Sequence, residues 1–330
     1  MQLNFTANTG FFGAQRNRFV QFQPDRTLEE VFALVAQIDG MTGIELKYPA
    51  AFADVRLVQQ LLQEHNLTLS AINVDTKDAR HFRHGALSAR SAASRQEAVT
   101  RLREAMDLAA ELGTTIVTTC PLADGYDYPF QVDHATAWGH FIESVRAAAA
   151  HRSDIQLCLE YQPHEPHSHI LLNNVGKLLY VCAEVGLPNV GANFDIGHSF
   201  AAQENPAEAA ALLARANRLF YIHTNDNTGD GGDWDMISGA VHFWHWLELL
   251  YTLDQAGYTG WLGGDIAPKH IPGPVDAYQS NIRMIQRMYQ LLMRIGMDKI
   301  TEMIRQDGNP AAAFETLSAS LLPEWDVQPG

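Results

Sequence analysis

Short runs with a two-residue apolar period alternate along the chain with longer runs of helical period. LNFTAN opens the series. TLEEVFALVAQI then places Leu28, Val31, Phe32, Val35 and Ile38 on one helical face, with Thr27 and Glu30 spaced as a capping box. GIELKYP follows, then a helix over 52–65, LTLSAINVD, and a helix over 92–112 that stops at Gly113. TTIVTTCP, a helix over 132–150, IQLCLEYQP and a helix over 173–185 continue the beat. VGANFDIGH, a helix over 206–216, LFYIHTND, a helix over 241–256, WLGGDIAP and a helix over 275–295 complete it.

Alternating strand–helix units predict parallel strands joined by right-handed crossovers. Eight such units without a linker suit a closed α/β (β/α)8 TIM barrel over 1–296 better than an open doubly wound sheet. No glycine fingerprint follows the first strand, so no nucleotide cofactor is expected. Loops 74–91, 120–131 and 225–240 follow strands and belong to the C-terminal rim, where such barrels keep their chemistry. Residues 297–330 form a C-terminal helical extension with one amphipathic stretch, expected to clasp a neighbouring subunit or the barrel's outside.

Strand parity carries the chemical argument, because successive side chains on a strand point to opposite faces. Ile155, Leu157 and Leu159 face the helices, which turns Gln156, Cys158 and Glu160 inward. With Val190, Ala192 and Phe194 outside, Asn193 and Asp195 point in. With Phe220 and Ile222 outside, Tyr221 and His223 do the same, and Asp265 shares the inward face with Trp261. Four consecutive strands thus deliver Glu160, Asp195, His223 and Asp265 to one barrel mouth. Three carboxylates there would repel one another and climb in pKa unless a divalent cation held them. Three oxygens and one imidazole suit Mn2+, Mg2+, Co2+ or Zn2+.

His198 lies three residues after Asp195, close enough for its ring to fold back beside the carboxylate. Asp233 and Asp235 form a DxD that puts both carboxylates on one side of an extended loop, or else a solvated acidic turn. Lys47 and Glu45 point inward on the second strand, although Lys47 also reads as an exposed strand-end lysine. The tract holding His164, His167 and His169 suits a substrate- or subunit-facing rim better than a metal site. Phe11, Phe12, Tyr126 and Trp234 are rim aromatics that either stack on a sugar ring or pack, and His242 and His245 fall on a predicted helix, where they are structural or exposed.

Composition narrows the partners. Of 330 residues 46% are apolar, enough for a large core, and 23 Lys plus Arg against 38 Asp plus Glu leave a net charge of −15. Such a surface argues against nucleic acid and membrane partners. Cys120, Cys158 and Cys182 have no CxxC spacing and read as reduced, buried thiols. MQLNFTANTG has no leader-like basic and apolar run, and a cytoplasmic location is expected.

LEYQPHEP, FDIGH, HTND with DWD beyond it, and GGD together resemble the xylose isomerase-like TIM-barrel superfamily of metal-dependent sugar isomerases and epimerases. That resemblance implies a first metal, Mn2+ foremost, held by Glu160, Asp195, His223 and Asp265. It also implies a second site of His198, Asp233 and Asp235, as in xylose and L-rhamnose isomerases, with Glu160, Asp265 and His198 as catalytic groups. Gln162, Lys47, Glu45, Trp234 and His164 become the substrate-side residues, and a homo-oligomer (dimer or tetramer) is expected. One departure stands out: both aldose isomerases carry lysine where this chain has Gln162, a neutral amide. No glycine-rich phosphate loop and no Arg or Lys cluster is evident at the rim, so the reading is an unphosphorylated sugar. The alternatives are a metal-dependent lyase or dehydratase on a keto-sugar or oxidised glycoside, a zinc endonuclease that the acidic surface disfavours, and a barrel that only binds sugar.

Overall fold

The computed structural model describes residues 1–330 except 17–18, 166–167, 231, 306–307 and 323–330. Eight parallel strands close on themselves: β1 (Asn4–Asn8), β2 (Met41–Tyr48), β3 (Thr68–Val74), β4 (Ile116–Thr119), β5 (Gln156–Leu159), β6 (Val190–Asp195), β7 (Leu219–Thr224) and β8 (Trp261–Gly264). Each pairs with its neighbours in sequence, and β1 joins β8 to β2. The outer ring comprises α1 (Leu28–Val35), α2 (Val55–Glu64), α3 (Ala92–Leu112), α4 (His134–Ala149), α5 (Val175–Val185), α6 (Pro206–Arg215), α7 (Phe243–Gln255) and α8 (Pro274–Ile295).

Caps set where the helices begin. Thr27 and Glu30 exchange both bonds of the capping box. Asp54, Asp133 and Asn174 accept N–H bonds at the starts of α2, α4 and α5, which therefore begin two or three residues later than the apolar period alone indicates.

Leu157, Leu159, Val190, Ala192, Phe194, Ile222 and Leu262 join the helices in the main core, as parity requires. Inside the barrel a small cluster of Ala71, Ile116, Cys158 and Tyr221 fills the floor. Phe220 departs from its expected outward place and packs against this interior cluster. Gly191 makes the room: a Cβ there would lie 2.4 Å from the Phe220 ring.

The extension forms two helices rather than one stretch, α9 (Met297–Arg305) and α10 (Pro310–Ala319), because Asn309 and Pro310 start a fresh one. Both lie on the barrel's own outside. Thr301 bonds Tyr251 at 2.8 Å, and Phe314 meets the Trp244 ring edge-on at 5.2 Å. The three cysteines are free and buried. Among the described residues no helix is long and apolar enough to cross a membrane.

Candidate metal centre

Glu160 directly follows β5, Asp195 ends β6, His223 sits in β7 and Asp265 directly follows β8. The ladder sets Asp195 beside His223 and His223 beside Gly263, so the four side chains rise from adjacent strand ends. All four are buried, and one ligand atom from each lies within 4.8 Å of the others. His223 Nδ1 is 2.9 Å from Asp265, 3.3 Å from Glu160 and 3.8 Å from Asp195. Asparagines brace the set: Asn193 donates to Glu160 at 2.6 Å, Asn225 to Asp195 at 3.0 Å and Asn8 to Asp265 at 3.3 Å.

The other imidazole nitrogen, Nε2, lies 2.9 Å from Glu45. Glu45, expected on the substrate side, lies beneath His223 with no exposed surface. Asn73, Thr118 and Tyr221 donate to it at 2.9, 3.1 and 2.8 Å. Ser70 and Thr6 continue the chain of bonds toward the floor. Burial pushes Glu45 up, but the His223 charge and these donors outweigh it and keep the carboxyl below its ordinary value. A carboxylate accepting from Nε2–H leaves the Nδ1 lone pair aimed at the three carboxylates, the arrangement that orients a metal-binding histidine.

His198 occupies a short helix, Ile196–Ala201, whose first turn is capped by Asp195 at 2.8 Å. Its Nδ1 comes within 3.3 Å of Glu160 and 3.7 Å of Asp195, and its Nε2 within 3.5 Å of Asp233. Asp235 is buried one step further along, at the limit of reach of the Asn225 amide. The DWD thus folds onto the centre and is not a solvated turn. His198 Nδ1 and Asp233 Oδ1 are buried without a hydrogen-bond partner. Orphaned polar atoms of this kind cost free energy unless a further group meets them.

Electrostatics point the same way. Burial pushes Glu160 up, but His223, His198 and Lys77 outweigh it and bring it down to about 2. Burial dominates at Asp195, which Glu160 and Asp265 raise further against His198, leaving it at about 7. Asp265 and Asp235 are raised chiefly by burial, Asp235 well beyond the carboxylate range. Burial alone would lower both imidazoles, yet the surrounding carboxylates hold His198 and His223 well above theirs. A divalent cation relieves this excess of negative charge, and the donor set of carboxylate oxygens with one imidazole nitrogen fits it.

The substrate-side residues divide. Gln162 is buried and its amide is spent: it donates to the His164 carbonyl at 3.0 Å and to Glu165 at 2.9 Å, and accepts from Cys120 at 3.8 Å. Lys47 lies across Gly10, where a Cβ would fall 2.6 Å from its Nζ. Lys77, which sequence reasoning missed, follows β3 and sets its charge against Glu160, Asp265 and the Cys120 thiol. Both lysines remain open to solvent. The one signal for Lys77 was a lysine just past a strand end, which many surface lysines share.

His164 meets His169 with tilted rings at 5.0 Å, and His169 meets Tyr126 likewise at 5.2 Å; His167 lies outside the described residues. Trp234 is 44% exposed and donates to Asp230. Phe12 leaves the rim entirely, buried against Tyr278, and Phe11 packs partly on the core. His242 bonds Asp226 and stacks on Phe200 at 3.9 Å, with His245 edge-on, so both serve packing. Against the expectation of no basic cluster at the rim, Arg80, Arg83 and Arg90 converge on one cleft. They are spread over eleven positions and gathered only by the fold.

Comparison with known proteins agrees with this architecture. A probable sugar isomerase of Mesorhizobium japonicum is 25% identical over 96% of this chain and 76% of its own length. A xylose isomerase of Thermus thermophilus is 27% identical over 62% of this chain, which spans about half (54%) of that enzyme. In three dimensions a D-tagatose 3-epimerase-like protein superposes with a TM-score of 0.67 at 17% identity, covering 87% of this chain and 99% of its own, a likeness of fold. Residues 32–288 match the model of one family along most of the barrel, and the chain belongs to it: the xylose isomerase-like TIM barrels.

Proposed function

We propose that this protein is a divalent-metal-dependent sugar isomerase or epimerase, which either moves hydrogen between adjacent carbons (aldose–ketose isomerisation) or removes and returns a proton at one carbon next to a carbonyl (epimerisation). One observation carries the reading: three carboxylates and the Nδ1 of His223 converge within 4.8 Å, while Glu45 fixes the opposite nitrogen of the ring. Glu160, Asp195, His223 and Asp265 would hold the ion, Mn2+ foremost, and His198, Asp233 and Asp235 a second. When bound, the metal supplies Lewis-acid polarisation of the sugar carbonyl and grips neighbouring oxygens.

The chain's own groups supply the rest. His198 Nε2 lies 3.5 Å from Asp233 at the outer edge of the cluster, where it can exchange a proton with a substrate oxygen when no second ion is held there. Asn193 and Asn8 hold Glu160 and Asp265 on opposite flanks, each as a candidate proton acceptor. Gln162 offers no free donor to a developing oxyanion. Lys47 and Lys77 take over that task from β2 and the loop after β3, and their ammonium groups give stronger electrostatic help than an amide.

Elemental analysis of purified protein, followed by incubation with Mn2+ and a sugar panel in D2O, tests the reading. Metal near one or two ions per chain and deuterium incorporation without a changed carbon skeleton support it. The bonded-away Gln162 favours one second reading, a lyase or dehydratase on a keto-sugar, and loss of water or of an aglycone in the same experiment would establish that instead.

A further inference from the structure

The loops after β3 and β4 do more than edge the metal centre. They enclose a second cleft of about 910 Å3, and none of Glu160, Asp195, His223 or Asp265 lines it. Arg80, Arg83 and Arg90 do, together with His140. Carboxylates outnumber cationic side chains 38 to 23 in this protein, so arginines have partners in plenty. Arg101, Arg152 and Arg283 take them. Among the described residues Arg80, Arg83 and Arg90 have no carboxylate within ion-pair reach, and Arg90 bonds only the Gln131 carbonyl, at 3.3 Å.

Neither acid of the cleft forms an ion pair with them, although its bonds to Thr136 and then Arg90's charge help hold Asp133 below its ordinary value. Asp133 accepts from Thr136 as the cap of α4, and Asp127 accepts from Ser168. His140 adds a buried Nδ1 with no partner. Three cationic side chains line one cleft, and an anion bound there would gain charge-assisted hydrogen bonds from them. Guanidinium forks suit the oxygens of a phosphate group in particular.

We propose that this cleft is a binding site for a phosphate-bearing small molecule, distinct from the metal centre. The phosphate belongs either to the sugar substrate itself or to a separate effector, and one set of titrations distinguishes the two. Inorganic phosphate is titrated by calorimetry at constant ionic strength into the wild type, an Arg80→Gln/Arg83→Gln variant and an Arg152→Ala control. The expected result is saturable binding that weakens about tenfold or more in the double variant and is unchanged in the control. Asp195→Asn should bind phosphate as the wild type does, which separates this site from the metal reading and lets either fail alone.

A glycerol phosphate titration then identifies the source. An advantage over inorganic phosphate that Asp195→Asn abolishes assigns the phosphate to the substrate; equal binding in both assigns it to an effector. Unfolding curves confirm that each variant folds, and a single Arg83→Lys variant, which keeps charge but loses the fork, stands in if the double variant does not. Absence of saturation in the wild type, or equal affinity in wild type and Arg80/Arg83 variants, overturns the proposal.

Discussion

Strands β5 to β8 end in Glu160, Asp195, His223 and Asp265, whereas β1 to β3 and their loops bring Asn8, Lys47 and Lys77 to the same mouth. The first half is tightly buried and anionic; the second carries cationic side chains that solvent can reach. Buried carboxylates braced by asparagines form a rigid seat for a cation. Exposed lysines at the end of β2 and just after β3 suit an oxygen whose charge grows during reaction. The two lysines shift in opposite directions: burial of the ammonium and then the neighbouring Lys77 pull Lys47 below its ordinary value, whereas at Lys77 burial is outweighed by Cys120, Glu160, Asp75 and Asp265, which hold it above. The contrast separates holding the metal from stabilising the substrate, and substitutions in each half should fail differently.

The largest effect belongs to the anionic half. Asp195→Asn keeps the cap of the His198 helix but removes a ligand charge, and we expect metal content to fall to background and turnover by on the order of 10³-fold, read by elemental analysis beside a rate assay. In the cationic half Lys77→Met should cost about 10²-fold in kcat with metal content unchanged, and Lys77→Arg should recover part of it. Loss of metal from Lys77→Met would erase the distinction between the halves. Between these lies Glu45→Gln, which leaves all four ligands in place but weakens the hold on His223 Nε2. Metal affinity should drop about 10–100-fold in a chelator competition.

The smallest effect is a pH trend in stability. Asp195, at about 7, and Asp265, Asp235, His198 and His223 all sit above their unfolded values. Groups raised in this way stabilise the fold below their unfolded pKa and lose that contribution as pH rises through the folded value. Chelator-treated protein should therefore melt lower at pH 8 than at pH 5.5, by roughly 5 °C, and added metal should shrink or reverse the difference. A metal-free protein with equal melting points at both pH values would show the cluster to be less strained than its charges imply.

Much of the anionic half was legible in the residues. A two-residue period is a local property, so alternation in IQLCLEY or VGANFD fixes which side chains face inward without knowledge of any partner. Phe220 marks the limit of that reasoning, because a glycine on the neighbouring strand drew its ring to the interior. Glu45 shows a second limit. Parity turned it inward correctly, but its depth, and hence its role beneath His223 rather than at the substrate, depends on a contact 178 positions away.

The sequence by itself determined the alternation of strands and helices, their inward and outward faces and the four residues at the ends of β5 to β8, since each follows from spacing within a few residues. Only the tertiary structure decided that Gln162 spends its amide on neighbours, that Lys77 faces Glu160 across the mouth and that three scattered arginines share one cleft. Those outcomes depend on barrel closure and loop paths, which set distances between segments far apart in the chain and leave no periodic trace along it.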